Sequence, residues 1–251
     1  MEFLNLKLEA RQSRSELHWN RKLTASEQNP YPLAPKDMVG KISPEDYESE
    51  NERFGLFCSS IMSAEVSSLV EPTFKNLVFP RIDVLGAGLG RDLGWMNQAM
   101  DLGCYVKVYD LSRVARERIE KNSDFSKHLG YHLEVVQSEI VSCWNDDEVL
   151  IYFASQFVQV QKRAKMQRLM RHFGSILKYS FLGFKPALYL VHPFGKDNLG
   201  VTWGDTTPYS EEEIMDAMTG KMGKSLMKVE LLGVHSYFHQ KYSLLKIQAK
   251  G

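Results

Sequence analysis

Residues 81–94 run Arg-Ile-Asp-Val-Leu-Gly-Ala-Gly-Leu-Gly-Arg-Asp-Leu-Gly: a short apolar stretch that breaks into glycine at every second position, Gly86, Gly88 and Gly90. A buried strand ending in such a turn lets backbone N–H groups approach a ligand with no Cβ in the way. The turn leads into a helical pattern of Leu93, Met96, Ala99 and Met100, which supplies the strand–loop–helix setting that a nucleotide-binding turn needs. Beyond it, Cys104-Tyr-Val-Lys-Val-Tyr109 predicts a second strand, with Asp110 at its tip. A carboxylate there is placed to accept hydrogen bonds from both hydroxyls of a ribose. The alternative reading is a tight turn that uses glycine and nothing more.

The spacing of the glycines discriminates between ligands. Dinucleotide folds use G-x-G-x-x-G, whose third glycine lets the helix pack on the strand and frees its N-terminus for pyrophosphate. Here that slot holds Arg91, and the phase beginning at Gly88 puts Leu93 there. The G-x-G-x-G form suits a ligand with adenosine but no phosphate. On Val84-Leu-Gly-Ala-Gly-Leu-Gly90 and Val108-Tyr-Asp110, the chain resembles the class I S-adenosylmethionine-dependent methyltransferases. The resemblance implies S-adenosylmethionine as cofactor, held by Gly86, Ala87, Gly88 and Gly90 in the loop and by Asp110 and Leu111 at the ribose. It further implies Ser138 and Glu139 beside the adenine, after a third strand at Leu133–Gln137, and Phe153 and Ala154 at the end of a fourth. One departure is plain. Many members carry an acid two residues before the first glycine, where this chain has Val84; Asp83 stands one earlier and points to the other face of the strand.

With 251 residues, 43% hydrophobic and 25% charged, the chain can bury a full α/β core. It contains no run of about 18 apolar residues to span a membrane, and its first residues lack the apolar core of a secretory signal. The three cysteines, Cys58, Cys104 and Cys143, have neither C-x-x-C nor Cys/His ligand spacing and read as reduced thiols of a cytoplasmic protein. A net charge of zero argues against a general nucleic-acid binder. Val149–Lys196 does hold eight Lys or Arg and no acid. That could face phosphate, but it reads more simply as a solvated basic face balanced by the acids Glu45, Asp46, Glu48, Glu50 and Glu52.

Strand and helix alternate after the glycine loop, as a doubly wound sheet requires. Residues 112–121 predict a helix with Ser112 as its cap. Val149–Ala154 predicts a strand covered on both faces, and Met166, Leu169, Met170, Phe173, Ile176 and Leu177 have helical spacing. Ala187–His192 predicts a fifth strand. Ser210-Glu-Glu-Glu213 opens a helix with acids at its positive end. Met227–Val234 and Lys241–Ala249 predict a final strand pair. The expected architecture is a Rossmann-like, seven-stranded, mostly parallel sheet with an antiparallel C-terminal hairpin over residues 80–251. Residues 1–79 form an N-terminal helical extension that acts as a lid, with helices at Leu8–Glu27 and Ser60–Asn76.

Methyl transfer needs an acceptor lone pair in line with a sulfonium methyl group, and a base only where the acceptor keeps a proton. His192, at the tip of the fifth strand, is the candidate base, since an unperturbed histidine titrates at about 6.5; the competing reading is a structural histidine. Tyr31, Phe194, Trp203 and Tyr209 are candidate walls for a small-molecule acceptor, against ordinary packing. Asp197-Asn198 lacks a convincing third carboxylate, so no metal is expected. Two other chemistries stay open: cleavage or cyclisation of the cofactor's aminobutyrate arm, and nicotinamide-dependent oxidoreduction, which Arg91 disfavours.

Overall fold

The structure, a computed structural model, describes residues 14–24, 41–73, 80–137, 149–178, 185–193, 209–220, 226–238 and 240–250. A helix over 14–23, α1, comes first. It is followed by α2 (Pro44–Thr73), β1 (Arg81–Leu85), α3 (Trp95–Asp101), β2 (Tyr105–Tyr109), α4 (Arg113–Lys121), α5 (Ser123–Ser126) and β3 (Leu133–Val136). After β4 (Val149–Ser155) come α6 (Arg163–Lys178), β5 (Ala187–His192), α7 (Glu211–Thr219), β6 (Met227–Tyr237) and β7 (Gln240–Ala249). The seven strands form one sheet in the order β3-β2-β1-β4-β5-β7-β6, parallel except where β7 runs against both β5 and β6. This is the sheet the sequence predicts. The order reverses at β1, which pairs with β2 on one side and β4 on the other. In open α/β sheets ligands bind at this reversal, outside the carboxyl ends of the strands.

Strand alternation divides the core. Ile82, Val84, Val106, Val108, Ile151, Phe153, Tyr189 and Val191 face one side, where they meet Phe54, Cys58, Met62 and Val66 of α2 and Trp95, Met96, Ala99 and Met100 of α3. Leu85, Tyr109, Tyr152, Ala154, Leu188 and Leu190 face the other, under Met166, Leu169, Met170 and Phe173 of α6 and Ile214, Met215 and Met218 of α7. The two outer helices touch at Gly174, where a Cβ would sit 1.8 Å from the Met218 carbonyl oxygen.

The N-terminal extension differs from the expected pattern. Instead of a helix beginning at Ser60, α2 starts at Pro44 and absorbs the acidic stretch. Ser43 accepts the Asp46 N–H at 3.0 Å and so caps it, while Pro44 needs no N–H in a first turn. The acids are solvent-side or paired: Glu48 with Arg91, Glu65 with Lys246. The opposite stripe, Tyr47, Asn51, Phe54, Cys58, Met62 and Val66, is buried. The final hairpin is also longer than expected. It turns at Phe238 with φ 46°, and a register shift between Leu231 and Gly233 lets Phe57 and Ile61 of α2 approach the Gly233 backbone.

Candidate functional site

Register brings three strand tips level. Leu85 pairs with Tyr109, and Val84 with Phe153, so the chain leaves β1 at Gly86, β2 at Asp110 and β4 at Ser155 side by side. Gly86, Gly88 and Gly90 all have positive φ, at 73°, 55° and 73°, a conformation that costs other residues about 1–2 kcal/mol. The Gly86 N–H donates to the Tyr109 carbonyl at 2.8 Å, and the Gly90 N–H to the Ala87 carbonyl at 2.9 Å. A Cβ on Gly86 would strike Phe157, at 2.6 Å, whereas one on Gly88 would meet nothing within 4 Å. The loop is therefore packed beneath Gly86 and open above Gly88. Ala87, in the same turn, is buried.

Asp110 lies beside that opening. One carboxylate oxygen accepts the Gly88 N–H at 3.0 Å and the other the Ser112 N–H at 2.7 Å. Burial pushes its pKa up, opposed by those two N–H groups and the Arg116 guanidinium. Arg116 donates to the carbonyls of Asp110 (3.0 Å) and Leu111 (2.8 Å) and pairs with Glu16 of α1. Asn20 of α1 accepts from the Ser112 hydroxyl at 2.7 Å and the Val114 N–H at 3.3 Å, and Gln137, just past β3, donates to Glu16 at 2.8 Å. Thus α1 is docked across the tips of β2 and β3. Sequence reasoning missed Glu16, Asn20 and Arg116, because their partners are remote in the chain.

The end of β4 lies beside these two tips. Phe153 and Ala154 are fully buried within the sheet, Phe153 edge-on to Trp95 at 5.1 Å. The residues at the mouth are the next three: Ser155, Gln156 and Phe157. Gln156 adopts φ 52°, with its N–H donating to the Val191 carbonyl at 3.0 Å. A left-handed glutamine is strained, and such strain gathers at functional sites.

At β5, His192 follows Leu188 and Leu190 onto the α6–α7 face and is 0% exposed. Its Nε2 is 3.1 Å from the Tyr209 carbonyl oxygen. A carbonyl can only accept, so that nitrogen carries the proton. Burial pushes the pKa down to about 4. Tyr209, expected in an acceptor wall, is buried instead in the α6–α7 core, and its hydroxyl donates to the Gln161 carbonyl at 2.5 Å. Asp83 is also buried, held by Arg81 at 2.7 Å and by the Tyr109 hydroxyl at 3.4 Å. Its pKa is raised by burial and moderated by Arg81. Tyr31, Ser138, Glu139, Phe194 and Trp203 lie outside the described residues. Among the described residues no group of three His, Cys, Asp or Glu could hold a metal, and no helix is long and apolar enough to cross a membrane.

No protein-family model and no curated protein matches the sequence. Solved structures do match in three dimensions. Magnesium protoporphyrin IX methyltransferase from Synechocystis PCC 6803 with bound SAH superposes with TM-score 0.50 and 12% identity, over 75% of this chain and 84% of that one. A Nostoc punctiforme PCC 73102 protein, provisionally named an O-methyltransferase, gives TM-score 0.50 and 11% identity, over 87% and 62%. An O-methyltransferase family protein from Burkholderia thailandensis gives 0.49 and 15%, over 84% and 61%. At such identities the likeness is one of fold, and together with the strand order it gives the chain the class I S-adenosylmethionine-dependent methyltransferase fold.

Proposed function

We propose that this protein transfers the methyl group of S-adenosylmethionine to oxygen or nitrogen of a small molecule. The observation that carries the reading is the pairing of Gly88 with Asp110: an open glycine turn, with space where its Cβ would be, directly beside a carboxylate at the tip of β2. That pair fits an adenosine with free ribose hydroxyls. Gly86–Gly90 would lie under the ligand, Asp110 would accept from the ribose, and Leu111 would flank it. Residues 1–79 would close over the cleft, with α1 already on the ribose side. When bound, the cofactor supplies an electrophilic methyl group on a sulfonium.

The chain's own contribution is orientation and exclusion of water, which can account for most of such a rate. Phe157 packs against Gly86 and presents an aromatic surface at the mouth of β4. His192 is assigned a positioning role, since its N–H is spent on the Tyr209 carbonyl at the entry to α7 and its weak basicity suits it poorly to remove protons. Ser138 and Glu139 are proposed for the adenine, and Tyr31, Phe194 and Trp203 for the acceptor. Arg91, in the slot of a third glycine, extends to Tyr47 and Glu48, which weighs against a pyrophosphate.

Titration calorimetry is the test. S-adenosylhomocysteine and S-adenosylmethionine should bind, and NAD and NADP should bind far more weakly. Tight nicotinamide binding without a response to either sulfur ligand would end the proposal. Transfer of labelled methyl from the cofactor into a metabolite extract would then separate methyl transfer from chemistry on the aminobutyrate arm.

A further inference from the structure

The sheet ends on one side in β3, a strand of four residues, and on the other in β6, a strand of eleven. A long edge strand offers a row of open N–H and C=O groups to other chains unless proline, a bulge or a covering element blunts it. The second half of β6 is blunted: its register shifts between Leu231 and Gly233, and Phe57 and Ile61 of α2 stand against Gly233. The first half, Met227–Leu231, is regular and free of proline, and among the described residues it pairs with β7 alone. Leu231 is 58% exposed, as is 52% of Leu226 just ahead of it. We propose that two copies of this chain associate through that half-strand, edge to edge and antiparallel, about a two-fold axis at Val229. This inference is independent of the S-adenosylmethionine reading.

The backbone is oriented for this pairing. The Lys250 N–H donates to the Leu226 carbonyl at 2.8 Å, in step with the register that sets Met227 opposite Ala249. Hydrogen-bonded and non-hydrogen-bonded pairs alternate along an antiparallel ladder. Leu226, Lys228 and Glu230 therefore turn their N–H and C=O groups toward β7, and Met227, Val229 and Leu231 turn theirs outward. A two-fold axis at Val229 places Val229 opposite its own copy and Met227 opposite Leu231 of the partner subunit. Each outward N–H then meets an outward C=O, and the ribbon stops where the bulge begins. β6 runs against β7, and β7 against β5, so Val229 is level with Ile247 and with Leu188 near the start of β5. The contact therefore lies away from the carboxyl ends of the parallel strands and leaves both clefts open.

The side chains select a second copy of this chain over an unrelated strand. Met227-Lys228-Val229-Glu230-Leu231 is complementary to its own reverse: methionine faces leucine, valine faces valine, and Lys228 faces Glu230 of the partner subunit. Lys228 and Glu230 share one face of β6, where their side chains reach solvent and lie 3.1 Å apart. Across the axis the two pairs form a square of alternating charge, in which every ion has two neighbours of opposite sign. Opposite charges directly across a sheet stabilise the pairing, and like charges destabilise it. On the other face the exposed Leu231 comes to lie beside Met227 of the partner subunit and loses water.

Analytical ultracentrifugation of the full chain tests the proposal, from about 1 µM to about 0.3 mM, the span suited to an interface of modest size. The wild type should pass from monomer to dimer across it, and less readily in high salt. Lys228→Glu and Glu230→Lys each set like charges across the axis twice over, and each should weaken dimerisation about ten- to a hundredfold. The double variant, Lys228→Glu with Glu230→Lys, regains opposite signs and should associate within a few-fold of the wild type. Its recovery also shows that the single variants fail by repulsion and not by misfolding. A wild type that stays monomeric at the highest concentration overturns the proposal. So do single variants that dimerise as tightly as the wild type, since another surface would then hold the copies together, and so does a double variant no better than either single one.

Discussion

Replacing Asp110 with alanine separates a ligand-binding carboxylate from a structural one. The structural job is visible, since its two oxygens accept the Gly88 N–H at 3.0 Å and the Ser112 N–H at 2.7 Å; the ligand-binding one is the proposal under test. Each bond to a charged acceptor is worth about 1.5–3 kcal/mol. Gly88 is partly exposed and its freed N–H regains water, Ser112 is buried and its N–H does not, and the substitution also relieves the burial that raises the Asp110 pKa. The net loss of apo stability should therefore be about 1–2 kcal/mol, or a melting-point drop of about 2–8 °C for a chain of this size. Loss of two ribose contacts should cost S-adenosylhomocysteine about a hundredfold or more in affinity. Asp110→Asn should do no better, because its amide nitrogen would oppose one of the two N–H donors. Calorimetric titration and a thermal scan of the same samples measure both effects. An alanine variant with the expected melting-point drop and unchanged affinity would refute the ribose assignment and leave Asp110 as a loop brace.

Gly88→Val should abolish S-adenosylhomocysteine binding with the circular dichroism spectrum retained: the side chain enters the open space above the turn, and φ 55° adds at least about 1–2 kcal/mol of strain. Unaltered binding would mean the glycine turn is no cradle. His192→Gln keeps an N–H donor for the Tyr209 carbonyl but removes a titrating group. The folded-state pKa of His192 is depressed to about 4 from 6.5, so its contribution is full above pH 6.5 and is lost as pH falls toward 4. The difference in unfolding free energy between wild type and variant should therefore change by up to about 3 kcal/mol across that window. A flat difference, or a hundredfold loss of turnover at unchanged stability, would reinstate the histidine as a base.

The local parts of this molecule were legible and the remote parts were not. Strand, glycine turn and carboxylate come from one segment, 81–110, whose conformation is dictated by residues next to one another; the three glycines that break the strand all have positive φ. His192 shows the limit. Alternation with Leu188 and Leu190 assigns it a face, but only the assembled sheet reveals that α6 and α7 cover that face. Likewise, the acids between 45 and 52 masked an amphipathic helix whose buried stripe continues through Phe54 to Val66. Asn20 and Ser112 meet across 92 residues, a contact that carries no local signal.

These assignments divide the work of the cleft. During methyl transfer the positive charge leaves the cofactor's sulfur, while the ribose hydroxyls stay neutral throughout. If Asp110 holds the ribose as proposed, its contacts are equally strong in ground and transition states. Binding of that sort lowers KM without raising kcat. On this reading acceleration is assigned to the mouth of β4, where Phe157 and the strained turn at Gln156 stand, and to the acceptor surface. Steady-state kinetics distinguishes the two classes once an acceptor is in hand. Asp110→Ala should raise KM for the cofactor and leave kcat within a few-fold, whereas Phe157→Ala should lower kcat. A fall in kcat for the Asp110 variant, at saturating cofactor, would show that its carboxylate acts on the reacting centre and not on the ribose.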